Sequence, residues 1–167
     1  MPAFKLEALI DALLTAEVEF VLIGGAAAVL HGAPVVTGDI DIVHRKTPEN
    51  IARLLGVLLP IHARARADRR NLPPTASALQ GRGHVLLDTD LGPVDVLCEI
   101  GDGQDYDWLL PRSELLDRGA GVVRVVELRT LIELKVAAGR VKDRLTVPIL
   151  VATLEERERR GREADET

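Results

Sequence analysis

Three aspartates of this 167-residue chain are the residues best suited to chemistry: Asp39, Asp41 and Asp95. Asp39 and Asp41 alternate with Ile40 and Ile42 in the segment GDIDIV. On an extended strand, side chains two residues apart share a face, so both carboxylates point one way and the isoleucines the other. Like charges held so close repel unless a cation lies between them. Magnesium suits such a place, because it is hard, takes oxygen ligands and is usually shared between carboxylates and phosphate oxygens. Asp95 lies among Val94, Val96 and Leu97. An acid there either faces solvent on an open sheet face or binds a cation. Gly24-Gly25 closes an apolar run, and backbone N–H groups free of side chains allow the close approach of a phosphate.

The elements that must position these residues follow from periodicity. Phe4, Leu6, Leu9, Ile10, Leu13 and Leu14 recur at helical spacing and predict an opening amphipathic helix. Residues 18–23 form a β-branched apolar run that reads as a buried strand ended by the two glycines. Residues 26–30 predict a small-residue helix, and Ile40, Ile42 and Val43 a second strand. Thr47-Pro48-Glu49 has the N-cap, first-turn proline and early acid of a helix start. Residues 63–82, rich in Arg, Pro and Gly, read as a loop. Residues 84–87 and 94–97 read as strands around a Gly92-Pro93 turn, 106–110 as a short helix and 122–126 as a strand. Residues 128–138 predict a helix ended by Gly139, with a last helix starting at Pro148 and a charged tail, 155–167, that frays. The sum is an α/β (α+β) fold with a small mixed sheet flanked by helices. Residues 1–127 form its core, 128–160 a helical C-terminal part of the same domain and 161–167 a tail.

Composition narrows the function classes. With 47% hydrophobic and 28% charged residues, the chain can bury a core and is not disordered. Acids outnumber bases by 26 to 21, which excludes a general nucleic-acid coat protein, since binding by counterion release needs clustered positive charge. Aromatic residues are only 2% of the chain, too few for base-stacking platforms. The single cysteine, Cys98, excludes an internal disulfide framework and fits a reducing compartment. No export signal or membrane-spanning apolar run is evident, so the expected location is the cytoplasm, with no membrane partner.

A Gly-Gly turn, a short helix, Asp-x-Asp on a strand and a third Asp on a later strand resemble the signature of the DNA polymerase beta-like nucleotidyltransferase superfamily. The segment LRTLIELKVAAGRVKD, residues 128–143, is similar to small bacterial nucleotidyltransferase-like proteins related to the abortive-infection (type IV) toxins. In those proteins a helix ends in Lys-x-Ala-Ala-Gly-Arg-x-Lys-Asp. The resemblance spans roughly residues 17–154. It implies the nucleotidyltransferase fold and magnesium-dependent transfer of a nucleoside monophosphate from a nucleoside triphosphate to a hydroxyl. By the same resemblance, Asp39, Asp41 and Asp95 are catalytic and hold two magnesium ions, which manganese can replace. Asp95 helps to deprotonate the acceptor. Gly24 and Gly25 hold the triphosphate, Lys135 and Arg140 contact phosphates or the base, and Asp143 completes that nucleotide-binding group by orienting a basic side chain. Lys142 is a weaker candidate. The acceptor is left open between an RNA end, a protein hydroxyl and a small molecule. Two departures stand out. Gly38 occupies the place where the superfamily often has a basic residue, and the chain lacks the extra helices of the longer toxins.

Other readings stay open at this level. One is a non-catalytic nucleotide-binding or toxin–antitoxin regulatory protein of the same fold, with a protein partner. Another is a structural module whose Asp39 and Asp41 merely face solvent. Lys135 could snorkel beside a core-facing stripe, and Arg140, Lys142 and Asp143 could be an ordinary cap. His31 and His44 read as structural hydrogen-bonding residues and Cys98 as a small buried apolar one. Tyr106 and Trp108 read as core anchors, and Arg64, Arg66, Arg69 and Arg70 as a solvated loop that could alternatively bind phosphate.

Overall fold

A computed structural model of the chain describes residues 5–166; Phe4, assigned above to the opening helix, lies outside them. The elements run α1 (Leu6–Thr15), β1 (Phe20–Ile23), α2 (Gly24–Leu30), β2 (Ile40–His44), α3 (Pro48–Leu58), β3 (Arg64–Ala65), α4 (Ala76–Gln80), β4 (His84–Asp88) and β5 (Val94–Leu97). They continue with α5 (Tyr106–Leu109), a 3-10 turn (Leu110–Arg112), β6 (Ser113–Asp117), β7 (Val122–Val126), α6 (Leu128–Ala138) and α7 (Val141–Asp165). The strands form one mixed sheet in the order β3-β4-β5-β2-β1-β7-β6.

Burial explains that order. β1 is buried along its whole length, as expected for an apolar strand covered on both faces. β2 and β5 bury Ile40, Ile42, Val94 and Val96 completely and leave Asp41 and Asp95 on the other face, partly open. At about 25 cal/mol per Å² of apolar surface, that inward row drives the pairing of the central strands. β2 runs antiparallel to β1 and parallel to β5, with Ile23 beside Asp41 and Asp41 beside Asp95. β4 continues the same row with Leu86 beside Asp95.

Several boundaries differ from the sequence reading. The short helix starts at Gly24, not Ala26; Gly24 turns the chain out of β1 at φ +67, where glycine has no Cβ penalty. The stretch 63–82 is not all loop. Its first residues add β3 to the sheet edge, and Thr75 caps α4 by accepting from the Ala78 N–H. β6 is not evident in the sequence, because its short SELLD run has no inward alternation; its pairing with β7 makes it a strand. The last helix starts at Val141, with Pro148 inside it. Gly139, at φ +63, ends α6 as expected, and Arg140 returns to extended backbone before α7 begins.

The charged tail expected to fray is helical to Asp165. Arg159 pairs with Glu156 and Glu163, and Arg160 pairs with Glu156, all at helical spacing. Arg129 to Glu158 and Arg157 to Glu114 tie the helix to the body. Arg157 also donates to Nδ1 of His31, whose Nε2 faces the Val126 carbonyl at 2.7 Å. His31 is therefore structural. Burial holds its pKa down against the Val126 bond, with Arg157 adding to the lowering and Glu114 opposing it.

Candidate functional site

The carboxylates meet because of register. Asp41 and Asp95 are direct neighbours on parallel strands, and Asp39 stands two residues before Asp41 at the mouth of β2. One oxygen from each of the three lies within 4.8 Å of the others. Burial pushes the Asp41 carboxyl up to about 7, and the charges of Asp39 and Asp95 push the same way, while Lys142 pulls back. Gly24 lies directly against this cluster. A Cβ there would stand 2.1 Å from Asp41 Oδ2, a separation no side chain can occupy. A Cβ on Gly25 would come within 2.9 Å of Thr37 Oγ1. Gly24 is thus required by the close approach of a helix start to the strand that carries the acids, while Gly25 is left little room by Thr37, just before that strand.

A cleft of about 670 Å³ opens over the cluster, lined by Gly24, Gly25, Asp39, Asp41 and Asp95 on one side and by Lys135, Arg140 and Lys142 on the other. The basic side is built by the corner between α6 and α7. Asp143, in the first turn of α7, is completely buried. It accepts from Arg140 Nε at 2.7 Å and from Lys135 Nζ at 3.3 Å. Burial alone would raise its pKa; the hydrogen bonds from Arg140 and Lys135, and their charges, outweigh burial and hold it below the usual carboxylate range. Asp143 is therefore out of reach of a ligand and fixes the two cations that line the cleft. Lys135, 14% exposed, turns to Asp143 and does not snorkel into solvent. Among the described residues Lys142 has no such tie; it lines the cleft and acts on the charge of Asp41.

Arg66 is the residue that sequence reasoning misses. Composition groups it with Arg64, Arg69 and Arg70 in a solvated loop, and Arg70 does pair at the surface, with Asp68. Arg66 instead continues β3 beside β4, where its N–H bonds to the Leu86 carbonyl. Its side chain reaches across β4 and brings Nη2 to 2.8 Å from Asp95 Oδ1. It also donates to the Leu87 carbonyl and to Asp88 Oδ1, so that Asp88 and Asp95 share its charge. Only the β3–β4 pairing reveals this residue.

The remaining residues singled out above sit apart from the cleft chemistry. His44 is fully buried and its Nε2 faces the Leu79 carbonyl at 2.8 Å. Cys98 is buried, and burial pushes its thiol pKa up. Tyr106 is buried and Trp108 packs at the edge of the core, each beneath an arginine, Arg45 and Arg112 respectively.

No protein-family model and no curated protein sequence matches this chain. Among solved structures, a candidate nucleotidyltransferase from Thermotoga maritima is similar over 88% of this chain and 90% of that one, with a TM-score of 0.56 and 18% sequence identity. The chain has a nucleotidyltransferase-like fold. At that identity the likeness concerns architecture alone, and the chemistry must be argued from the residues in place. Within this nucleotidyltransferase-like fold, the donor set fits a divalent cation. It offers three converging carboxylates, one of them an acid whose pKa is raised first by burial and then by the charges of the other two. No described helix is long and apolar enough to cross a membrane.

Proposed function

We propose that this protein is a magnesium-dependent nucleotidyltransferase that moves a nucleoside monophosphate from a nucleoside triphosphate to a hydroxyl. The observation that carries the reading is the convergence of Asp39, Asp41 and Asp95 within 4.8 Å, against a glycine helix start and facing fixed cations across one cleft. Asp39, Asp41 and Asp95 would hold two magnesium ions, for which manganese can substitute. Bound there, the ions would supply the positive charge that lowers the barrier for phosphoryl chemistry.

The chain's own residues account for the rest. Gly24 and Gly25 leave room for phosphate oxygens against the backbone. Lys135 and Arg140, fixed by Asp143, and the flexible-stemmed Lys142 face the triphosphate with positive charge. Asp95 would take the proton of the acceptor hydroxyl. The acceptor oxygen then bonds to the α-phosphorus, the bond from that phosphorus to the bridging oxygen breaks, and pyrophosphate leaves with the electron pair. The acceptor is an RNA end, a protein hydroxyl or a small molecule. The 128–143 block supports a relation to toxin–antitoxin nucleotidyltransferases, and we place the protein in a bacterial cytoplasm on the same ground.

Incubation with magnesium, each of four α-labelled triphosphates and cell extract tests the proposal against the Asp39→Asn/Asp41→Asn double variant. Label on RNA, protein or a small molecule with the wild-type chain alone supports transfer and identifies the acceptor. Triphosphate binding without any labelled product in extract supports instead a regulatory nucleotide-binding protein of this fold.

A further inference from the structure

The sheet ends in two unlike edges. β3 is two residues long, and the chain covers it with its own loop: the outward Ala65 N–H donates to the Leu72 carbonyl at 2.8 Å. Short length and a covering loop protect a sheet edge, whose free N–H and C=O groups otherwise attract another strand. β6 stands at the opposite end of the sheet and is five residues long, and among the described residues no strand lies outside it. The Arg118 N–H bonds to the Gly121 carbonyl and the Glu127 N–H to the Arg112 carbonyl. Bonded positions alternate in an antiparallel pair, so in the observed register Glu114 and Leu116 also bond toward β7. Ser113, Leu115 and Asp117 therefore direct their backbone N–H and C=O groups away from the sheet. Leu115, in the middle of this open edge, is 59% exposed.

A second copy of the same strand fits the edge. Antiparallel pairing about a twofold axis at Leu115 sets Leu115 against Leu115 of the second copy and Ser113 against Asp117 of the second copy. The outward groups of each such pair can exchange both hydrogen bonds. No like charges oppose each other, since Glu114 falls opposite Leu116 and is already paired with Arg157. Ser113, Leu115 and Asp117 share one face of the strand. Arg124 of β7 reaches that face, where it donates to Ser113 Oγ at 3.1 Å. Among the described residues neither Arg124 nor Asp117 forms an ion pair; Asp117 Oδ1 accepts from the Gly119 N–H. Twofold pairing brings Asp117 of the second copy beside Ser113, and so gives each Arg124 a carboxylate. We propose that β6 pairs edge to edge with β6 of a second copy, joining two sheets into one, with reciprocal Arg124–Asp117 ion pairs across the axis. One five-residue strand from each copy carries the contact, so the dimer is concentration-dependent. The inference stands apart from the nucleotidyltransferase reading, because β1 and β7 separate this edge from the strands that carry the acids.

Sedimentation equilibrium of the full chain from micromolar to millimolar concentration tests it, together with amide hydrogen exchange followed by NMR. The wild type is expected to pass from monomer to dimer, and the Ser113, Leu115 and Asp117 amides to gain at least about tenfold protection as it does. Leu115→Pro removes an outward N–H and no bond to β7, and is expected to fold and stay monomeric. Leu115→Lys sets like charges opposite each other on the axis and is expected to weaken the dimer at least about tenfold. Asp117→Lys is expected to weaken it as well, and Asp117→Lys/Arg124→Glu to recover it, a rescue that purely structural roles for these residues would not give. A wild type that stays monomeric at millimolar concentration overturns the inference and leaves the edge to a strand of another protein. A dimer whose Ser113, Leu115 and Asp117 amides exchange as fast as in the monomer overturns it whether or not any variant folds. So does a folded Leu115→Lys protein that dimerises like the wild type. Failure of the folded double variant to recover the dimer overturns the pairing of Arg124 with Asp117.

Discussion

The two walls of the cleft are built by different means. The acidic wall is set by the backbone: Ile23, Asp41, Asp95 and Leu86 occupy one row because four strands pair in register. The basic wall is set by a side chain: Lys135 and Arg140 come from either side of the Gly139 corner and are held by buried Asp143. A ladder of hydrogen bonds fixes positions to a fraction of an ångström and cannot be adjusted without losing the sheet. An ion-paired corner can yield, since Arg140 is 60% exposed and can turn to solvent. On the proposed function, the groups that would converge on a cation are on the rigid wall, and those that would follow a flexible polyphosphate are on the compliant one.

Breaking the rigid wall gives the largest effect. Asp41→Asn is expected to lower nucleotidyl transfer at least about a hundredfold, because it removes a central carboxylate, and to raise the metal-free melting temperature. The second change is the sharper one, since removal of a purely structural acid would lower it. Gly24→Ala is next. It forces a Cβ onto Asp41 at φ +67 and is expected to lose about 2–4 kcal/mol in chemical denaturation, together with divalent-cation binding. Retention of both would mean that the helix start can retreat from β2.

The compliant wall should respond more gently. Asp143→Asn is expected to cost about 1–3 kcal/mol and to weaken triphosphate binding, while manganese binding stays unchanged. Loss of manganese as well would show that the two walls are one unit. Lys142→Ala should weaken triphosphate binding with little effect on stability, as thermal melting would show.

The pH dependence separates the walls again. The Asp41 pKa is raised from its ordinary 3.8 to about 7, so the folded protein keeps a proton that the unfolded chain releases between those values. The contribution of Asp41 to metal-free stability should therefore fall as pH rises from about 3.8 to about 7, by at most about 1.4 kcal/mol per pH unit, and level off above, whereas the lowered pKa values of buried His31 and His44 act oppositely up to about 6.5. The low pKa of Asp143 acts oppositely and its contribution is lost only in acid, below the ordinary carboxylate range. Urea denaturation at pH 5 and pH 8, with and without magnesium, reads this. The pH difference must shift toward greater stability at pH 8 in Asp41→Asn relative to the wild type; an unchanged difference would contradict it, and saturating magnesium should produce the same shift in the wild type. The smallest effect belongs to the far end of α7, where Arg159→Ala should leave the melting temperature almost unchanged, since its pairs with Glu156 and Glu163 are exposed.

The acidic wall is legible in the amino-acid sequence. Alternation in GDIDIV puts both aspartates on one face, and the apolar neighbours of Asp95 mark it as a strand residue in need of a reason. Gly24-Gly25 announces a turn, and Gly139 a helix stop, because their roles are local. The succession of the central elements along the chain is legible too, since their apolar runs and turn residues mark them locally.

Tertiary structure decides everything that depends on which strand lies beside which. Nothing local says that β2 and β5 pair with Asp41 level with Asp95, or that β3 joins the edge so that Arg66 reaches the third carboxylate. Nothing local separates the buried Asp143 from the solvated acids around it, or shows that Pro148 lies within a helix begun at Val141. The helical tail has the same cause: its sequence reads as solvated charge, and only the ion pairs along α7, with Arg157 set against His31 and Glu114, give it a fixed course. Local chemistry is written in residue type and spacing, whereas charge compensation across a sheet is written in pairing, which exists only once the chain has folded.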